Sequence, residues 1–408
     1  MKLVTSCVLA FTAFTLSCTT NENNKTDSAE KNRKDSIKNL EQDSIKHRLS
    51  YNTDNYYNYF ACLISGIRNA NSKYNYLLDS NTAWKKNVDF IHSAWLNLDT
   101  SRLKKIERWR ESEFPDKLKS ASKVFYPFSG PDFLTAITFF PDLDTLVMLG
   151  LEKVGRFPEL DNMSNQVAEN YIKDFNSSLT DIFKKSYFIT KNMQKQISNH
   201  EVNGILPVIS FFMKHTGNEI VDVNYLLMQK DSNSKTKKIV EAGYNYNWAA
   251  TANGKETPLG VKINYIHSKK LKTVYYYRYD ISNKNFNDSS AFFRELDKMH
   301  TIVTYLKSAS YLLSNKLMSN IRDLITGKSA FILQDDTGIP YSFLMKQGIW
   351  DVKIYGRYTR PVKDFPYITE DLQLKTACLN KPIQNDLPFH LGYNWGNKKG
   401  LLMLATKK

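Results

Sequence analysis

Two short segments carry the residue types that acid–base chemistry needs. In Gln334-Asp335-Asp336-Thr337-Gly338-Ile339-Pro340-Tyr341, two adjacent carboxylates stand after an apolar, strand-like run and before a Gly-Pro turn. Loops on a rigid scaffold often present catalytic acids in this way. A carboxylate pair can do general acid–base work when burial splits its pKa values. A structural role competes: neighbouring strand residues point to opposite faces, and Asp side chains commonly accept backbone N–H groups in turns. The second segment, Tyr126-Pro127-Phe128-Ser129-Gly130-Pro131-Asp132, ends on a single acid, Asp132, expected to cap a helix running to Phe140. Pro127 and Pro131 stiffen that approach, as in a fixed loop lining a cleft. Asp335, Asp336 and Asp132 are therefore the candidate catalytic residues, and the cap and turn roles weigh more than catalysis.

Spacing excludes other chemistry. Thr326-Gly327-Lys328-Ser329 has the ending of a phosphate-binding loop, but Arg322 stands where that loop needs its first Gly, and a helix precedes it where a strand is required. The histidines His47, His92, His200, His215, His267, His300 and His390 form no pair at metal-ligand spacing. No Gly-x-Ser-x-Gly elbow is present. No metal and no cofactor is expected. Cys62 and Cys378 would either bridge in an oxidising compartment or remain two buried thiols.

Composition bounds the class. The 408 residues are 42% apolar and 13% aromatic with a net charge of +15, which excludes a wholly disordered chain and a multi-span membrane protein. The positive excess gathers in two places. Ser101 to Lys123 holds eight Lys and Arg against four acids, and Lys269, Lys270 and Lys272 form a second group.

The first residues say where the chain resides. Lys2 precedes an apolar run from Leu3 to Leu16, too short to span a bilayer and patterned like a secretory leader. It closes on Thr15-Leu16-Ser17-Cys18, which resembles the lipobox of bacterial lipoproteins, with Thr15 where that family usually has Leu. The resemblance covers the first 18 residues and implies a signal peptide over 1–17, cleavage after Ser17 and lipidation of Cys18. It implies an extracytoplasmic, lipid-anchored protein of the cell envelope, placed at the outer membrane. The membrane is then one partner, and an anionic envelope polymer or a protein another; nucleic acid is not. Residues 18–55 are Asn-, Lys-, Asp- and Ser-rich, with Asp35-Ser36-Ile37-Lys38 repeated as Asp43-Ser44-Ile45-Lys46. Such a segment buries too little to offset chain entropy and reads as a flexible tether.

The elements that must position the acids lie in a body over 56–408. Three- and four-residue apolar spacings predict helices over Tyr56–Arg68, Thr82–Glu113, Met163–Ile197 and Phe292–Ile325. Apolar runs bounded by Gly, Pro and Asp predict strands over Val124–Phe128, Thr145–Leu151, Val221–Met228, Ile239–Trp248, Val261–His267, Thr273–Tyr279, Ala330–Gln334 and Trp350–Tyr358. Ser268 to Lys272 reads as a hairpin loop. The expected fold is α+β, several long helices packed with a mainly antiparallel sheet, in one body or in halves 56–220 and 221–408. Val124–Leu151 and Ala330–Tyr358 share a strand-turn-helix-strand order; chance recurrence is favoured over duplication, and strand order decides. Through the two Pro- and Gly-bearing segments the body resembles an uncharacterised family of bacterial envelope proteins, which brings no activity with it. Three function classes follow. They are binding of an envelope glycan, lipid or protein, favoured over catalysis; a tethered hydrolase using Asp335 or Asp336; and an envelope assembly or structural factor.

Overall fold

The structure, a computed structural model, describes residues 51–408 except 162, 199–201, 231–236, 248–257, 359, 382–385 and 395–399. The leader, Cys18 and nearly all of the tether lie outside the described residues. Asn52–Lys408 is one compact unit.

In chain order, α1 (Tyr56–Ile64), α2 (Tyr76–Ser80), α3 (Thr82–Leu98) and α4 (Lys104–Glu113) come first, with a wide helical turn, Asp99–Leu103, joining the last two. Short α5 (Asp116–Lys119) leads to β1 (Lys123–Tyr126), α6 (Phe133–Phe139) and β2 (Thr145–Gly150). Then come α7 (Asn165–Lys185), α8 (Thr190–Ser198) and α9 (Leu206–His215), followed by β3 (Glu219–Lys230), β4 (Lys237–Gly243), β5 (Gly260–His267) and β6 (Lys270–Arg278). The remainder is α10 (Ala291–Asp297), β7 (Ile302–Leu306), α11 (Ser319–Lys328), β8 (Ser329–Gln334), α12 (Tyr341–Gln347), β9 (Trp350–Gly356), α13 (Leu372–Asn380) and β10 (Leu401–Lys407).

All ten strands join one sheet in the order β4-β3-β5-β6-β2-β1-β7-β8-β10-β9. The fold is α+β. The five central strands, β6-β2-β1-β7-β8, are mutually parallel, and the strands outside them pair antiparallel. The reason is visible in the residues. Leu-Val-Met-Leu in β2 and all of β7 are buried on both faces, as parallel strands between helical layers must be. Alternation then sorts them. Val124, Tyr126, Leu146, Met148, Val303 and Tyr305 face a large cluster under α1, α3, α6, α7 and α9. Phe125, Val147, Leu149, Ile302 and Leu306 face a second cluster under α10 and α11. Strand β3 runs through the 220/221 boundary, so the sheet continues across both of the halves considered above.

One expectation changes, the favoured chance recurrence holds, and the open cysteine alternative is decided. The single helix over Phe292–Ile325 is α10, β7 and α11: a strand buried on both faces lacks period-two alternation, and its Val303 and Leu306 also fit helical spacing. β8-α12-β9 does not repeat β1-α6-β2, because β10 lies between β8 and β9 while β1 and β2 are neighbours. The unit that matches β1-α6-β2 in topology is β7-α11-β8, which steps to the opposite side of the sheet. Cys62 and Cys378 are buried free thiols on α1 and α13; the latter belongs to a small separate cluster, and no bridge joins them.

Candidate functional site

The crossovers from β1 to β2 and from β7 to β8 leave a pair of adjacent strands in opposite directions. At such a switch point the loops part, and a crevice opens outside the carboxyl ends of the strands. A cavity of about 480 Å³ lies there. Its walls come from the ends of β1 (Phe128, Gly130), β2 (Leu149–Leu151), β6 (Tyr279–Ile281) and β7 (Ser308–Ser310), from Tyr187–Lys191 between α7 and α8, and from Phe365 and Tyr393.

The two strand-end loops are built from left-handed backbone. Phe128 (φ +62°) and Gly130 (+54°) follow β1; Ser308 (+56°), Ser310 (+54°) and Tyr311 (+57°) follow β7. Non-glycine residues hold this conformation only where surrounding bonds over-determine it, and such clusters mark functional loops. The bonds are present. Ser129 and Gly130 N–H both donate to the Leu149 carbonyl, at 2.8 and 3.2 Å. Ser308 N–H donates to Asp335 Oδ2 (2.8 Å), Ala309 N–H to Thr337 Oγ1 (2.8 Å) and Tyr311 N–H to the Thr337 carbonyl (3.0 Å). Gly392 closes against this knot, where a Cβ would meet Asp335 Oδ2 at 2.6 Å.

Asp132 sits under the β1 loop and caps α6 by accepting the Thr135 N–H at 3.1 Å. It also accepts the Thr135 and Tyr126 hydroxyls, the latter at 2.9 Å, and forms an ion pair with Lys307, with both side chains only 1% exposed. Lys307 donates as well to the Ser186 carbonyl at 2.5 Å, where α7 ends on a left-handed residue. Burial pulls the Lys307 ammonium below its ordinary pKa against the pull of Asp132. Arg102, buried beside them, donates to the Ile182 and Phe183 carbonyls at 2.8 and 3.1 Å. This cluster ties β1, β7, α3's extension and α7 together, and every charged end in it is occupied.

Asp335 and Asp336 are both buried and diverge. Asp335 is saturated by Ser308 N–H, Thr337 N–H and the Thr337 hydroxyl; burial raises its carboxyl. Asp336 accepts one strong bond, from Tyr311 OH at 2.5 Å. Burial first, and the Asp335 charge second, push its carboxyl up to about 7. Asp336 forms part of the wall between two further cavities, of about 630 and 280 Å³, which also share Tyr358. None of the three sequence-nominated acids lines the cleft at the switch point. The sequence reading missed Glu152, two residues past β2: it is 1% exposed, takes Tyr276 OH at 3.1 Å on one oxygen, and its other oxygen has no partner among the described residues. An acid just beyond a fully apolar strand was the available signal.

The basic runs are only partly engaged: Lys105, Arg108, Lys117, Lys123, Lys269 and Lys270 are exposed. Lys104, Arg110 and Lys119 pair with Asp99 and Glu111, Arg102 is buried, and Lys272 turns inward to the Pro141 carbonyl. Among the described residues no three His, Cys, Asp or Glu gather as a metal site, and no helix is long and apolar enough to cross a membrane. No protein-family model, no curated protein and no solved structure matches the chain.

Proposed function

We propose that this chain is a lipid-anchored binding protein of the bacterial envelope that holds a small, largely apolar molecule in the cleft at the β1–β7 switch point. The observation that carries the reading is the cleft itself. It lies at the carboxyl ends of parallel strands, has the volume of a small-molecule site, and is walled mainly by aliphatic and aromatic side chains on loops pinned in left-handed backbone. The leader and Cys18 support the address through their likeness to a lipobox. Catalysis draws less support: Asp132 and Asp335 are consumed by caps and turns, and neither lines the cleft. A hydrolytic role for Asp336 is the second reading, favoured by its raised carboxyl at a cavity wall.

Leu151 stands half-exposed at the mouth of the cleft, so Leu151→Trp narrows it without disturbing the core. The full chain, purified and titrated with hydrophobic small molecules extracted from envelopes, is expected to gain thermal stability by mass action, and the variant to lose that gain. A wild-type Tm unmoved by every fraction would overturn the reading.

A further inference from the structure

The cleft does not end at its own walls. Tyr393 and Asp364 belong both to it and to the neighbouring cavity of about 630 Å³. Tyr393 is held between the Tyr187 and Phe365 rings, at 4.6 and 5.1 Å, and its hydroxyl meets Ser310 Oγ at 2.6 Å. A molecule can therefore lie along one ring and reach into both spaces.

The two spaces differ in chemistry. The first is bounded by Leu149, Ile189, Leu312 and Met318 among its aliphatic side chains. The second gathers Arg357, Arg360 and Lys363 around Tyr358. Arg357 is anchored by Asp386 at 2.6 Å, whereas Arg360 and Lys363, both exposed like Asp364, have no carboxylate partner among the described residues. The acids on the same wall are Asp364, which is exposed, and Asp336, which Tyr311 already engages. Guanidinium and ammonium groups facing a cavity bind carboxylate or phosphate oxygens, the guanidinium through paired N–H donors.

We infer that the ligand is an anionic amphiphile, its apolar body in the cleft and its carboxylate or phosphate head against Arg360 and Lys363. This rests on the reading of the cleft as a binding site and names the class of molecule it takes. Both cavities fall in the size range of single small-molecule sites, which suits one chain with one head.

The test compares hexadecanol, palmitate and hexadecyl phosphate as ligands of the full-length protein, by competition against a fluorescent fatty-acid probe. The variants are Arg360→Gln with Lys363→Gln, and Leu151→Trp. Expected is tighter binding of palmitate or hexadecyl phosphate than of hexadecanol. Loss of the two cations should weaken the anions about tenfold, the effect of one charge-assisted hydrogen bond, and leave hexadecanol unchanged. Preference for the carboxylate points to free fatty acid as the source, and preference for the phosphate to a lipid headgroup; either supports the inference. Equal affinity for all three, or an unaltered anion affinity in the double variant, overturns the inference and leaves the cleft a binding site. Binding of none of them overturns the inference; if Leu151→Trp is also silent against the envelope extract, the binding reading falls with it. Binding to phosphatidylglycerol vesicles alone, unaffected by Leu151→Trp, places the anion on the surface and overturns the inference too.

Discussion

Asp132 and Asp336 are both buried carboxyls near the carboxyl ends of parallel strands, yet they are furnished differently. Asp132 has a cation, two hydroxyls and a backbone N–H. Asp336 has one tyrosine hydroxyl and, next to it, a second acid. The first arrangement ties the carboxyl to a cation, hydroxyls and backbone and fixes the loops; in the second, burial favours the protonated form of Asp336 and leaves it at a cavity wall. The contrast separates a structural rivet from a group whose state can respond to its surroundings. Partner count and cation placement, not burial, draw the distinction.

The contrast breaks most visibly at the rivet. Lys307→Met strands Asp132 in the core and is expected to cost about 3–5 kcal/mol, read as a lowered denaturant midpoint. Adding Asp132→Asn should restore part of the loss, because the orphaned charge is gone; a purely additive double variant would mean that the pair does not act as one unit. Asp335→Ala comes next. It removes the acceptor of two buried N–H groups, at about 1–3 kcal/mol each where they remain unsatisfied, and should loosen the Ser308–Tyr311 backbone, visible as faster amide exchange there.

Asp336→Asn gives the smallest change at neutral pH, since the amide mimics the protonated carboxyl that burial already favours. Its signature is in the pH profile. A carboxyl raised from the ordinary carboxylate range to about 7 binds its proton more tightly folded than unfolded. Its contribution is full at acid pH and is lost as pH rises between about 4 and 7. His215, stacked 4.3 Å from Trp95 and pushed down to about 3 by burial, works in the opposite sense, losing stability as pH falls below its ordinary range. The variant must therefore be compared with wild type at each pH, where the two midpoints should lie close at acid pH and the variant's should rise relative to the wild type's as pH approaches and passes about 7. A parallel pair of curves would mean that Asp336 contributes no pH dependence to stability across this range. The same variant bears on the hydrolase reading, which gains if a substrate turned over by the wild type is not turned over by the folded variant.

Much of this was legible in the residues. Asp132 reads as a helix cap from Gly-Pro-Asp before an apolar helix, and Asp335 as a turn former from Asp-Asp-Thr-Gly; both do those things. The antiparallel hairpin β5–β6 was visible in the alternation of Val261, Ile263 and Tyr265, and its turn at Ser268 and Lys269 has the positive φ values of a tight hairpin. What stayed hidden was strand β7, and with it the cleft. Lys307 could not be placed opposite Asp132 while its segment read as helix, and the pairing spans 175 positions of sequence. Helix α9 was missed for a related reason: residues 206–213 are all buried, so no polar face reveals its period. Shared walls between cavities depend on loop placement, which no local pattern encodes.

Strand β10 lies between β8 and β9 and forms an antiparallel ladder with each. A chain emerging residue by residue thus carries two unmatched strand edges until Leu401–Lys407 follow. The closing of that side of the sheet waits on a segment that follows both of its partners in sequence, so β8 and β9 cannot be joined by pairing either one locally.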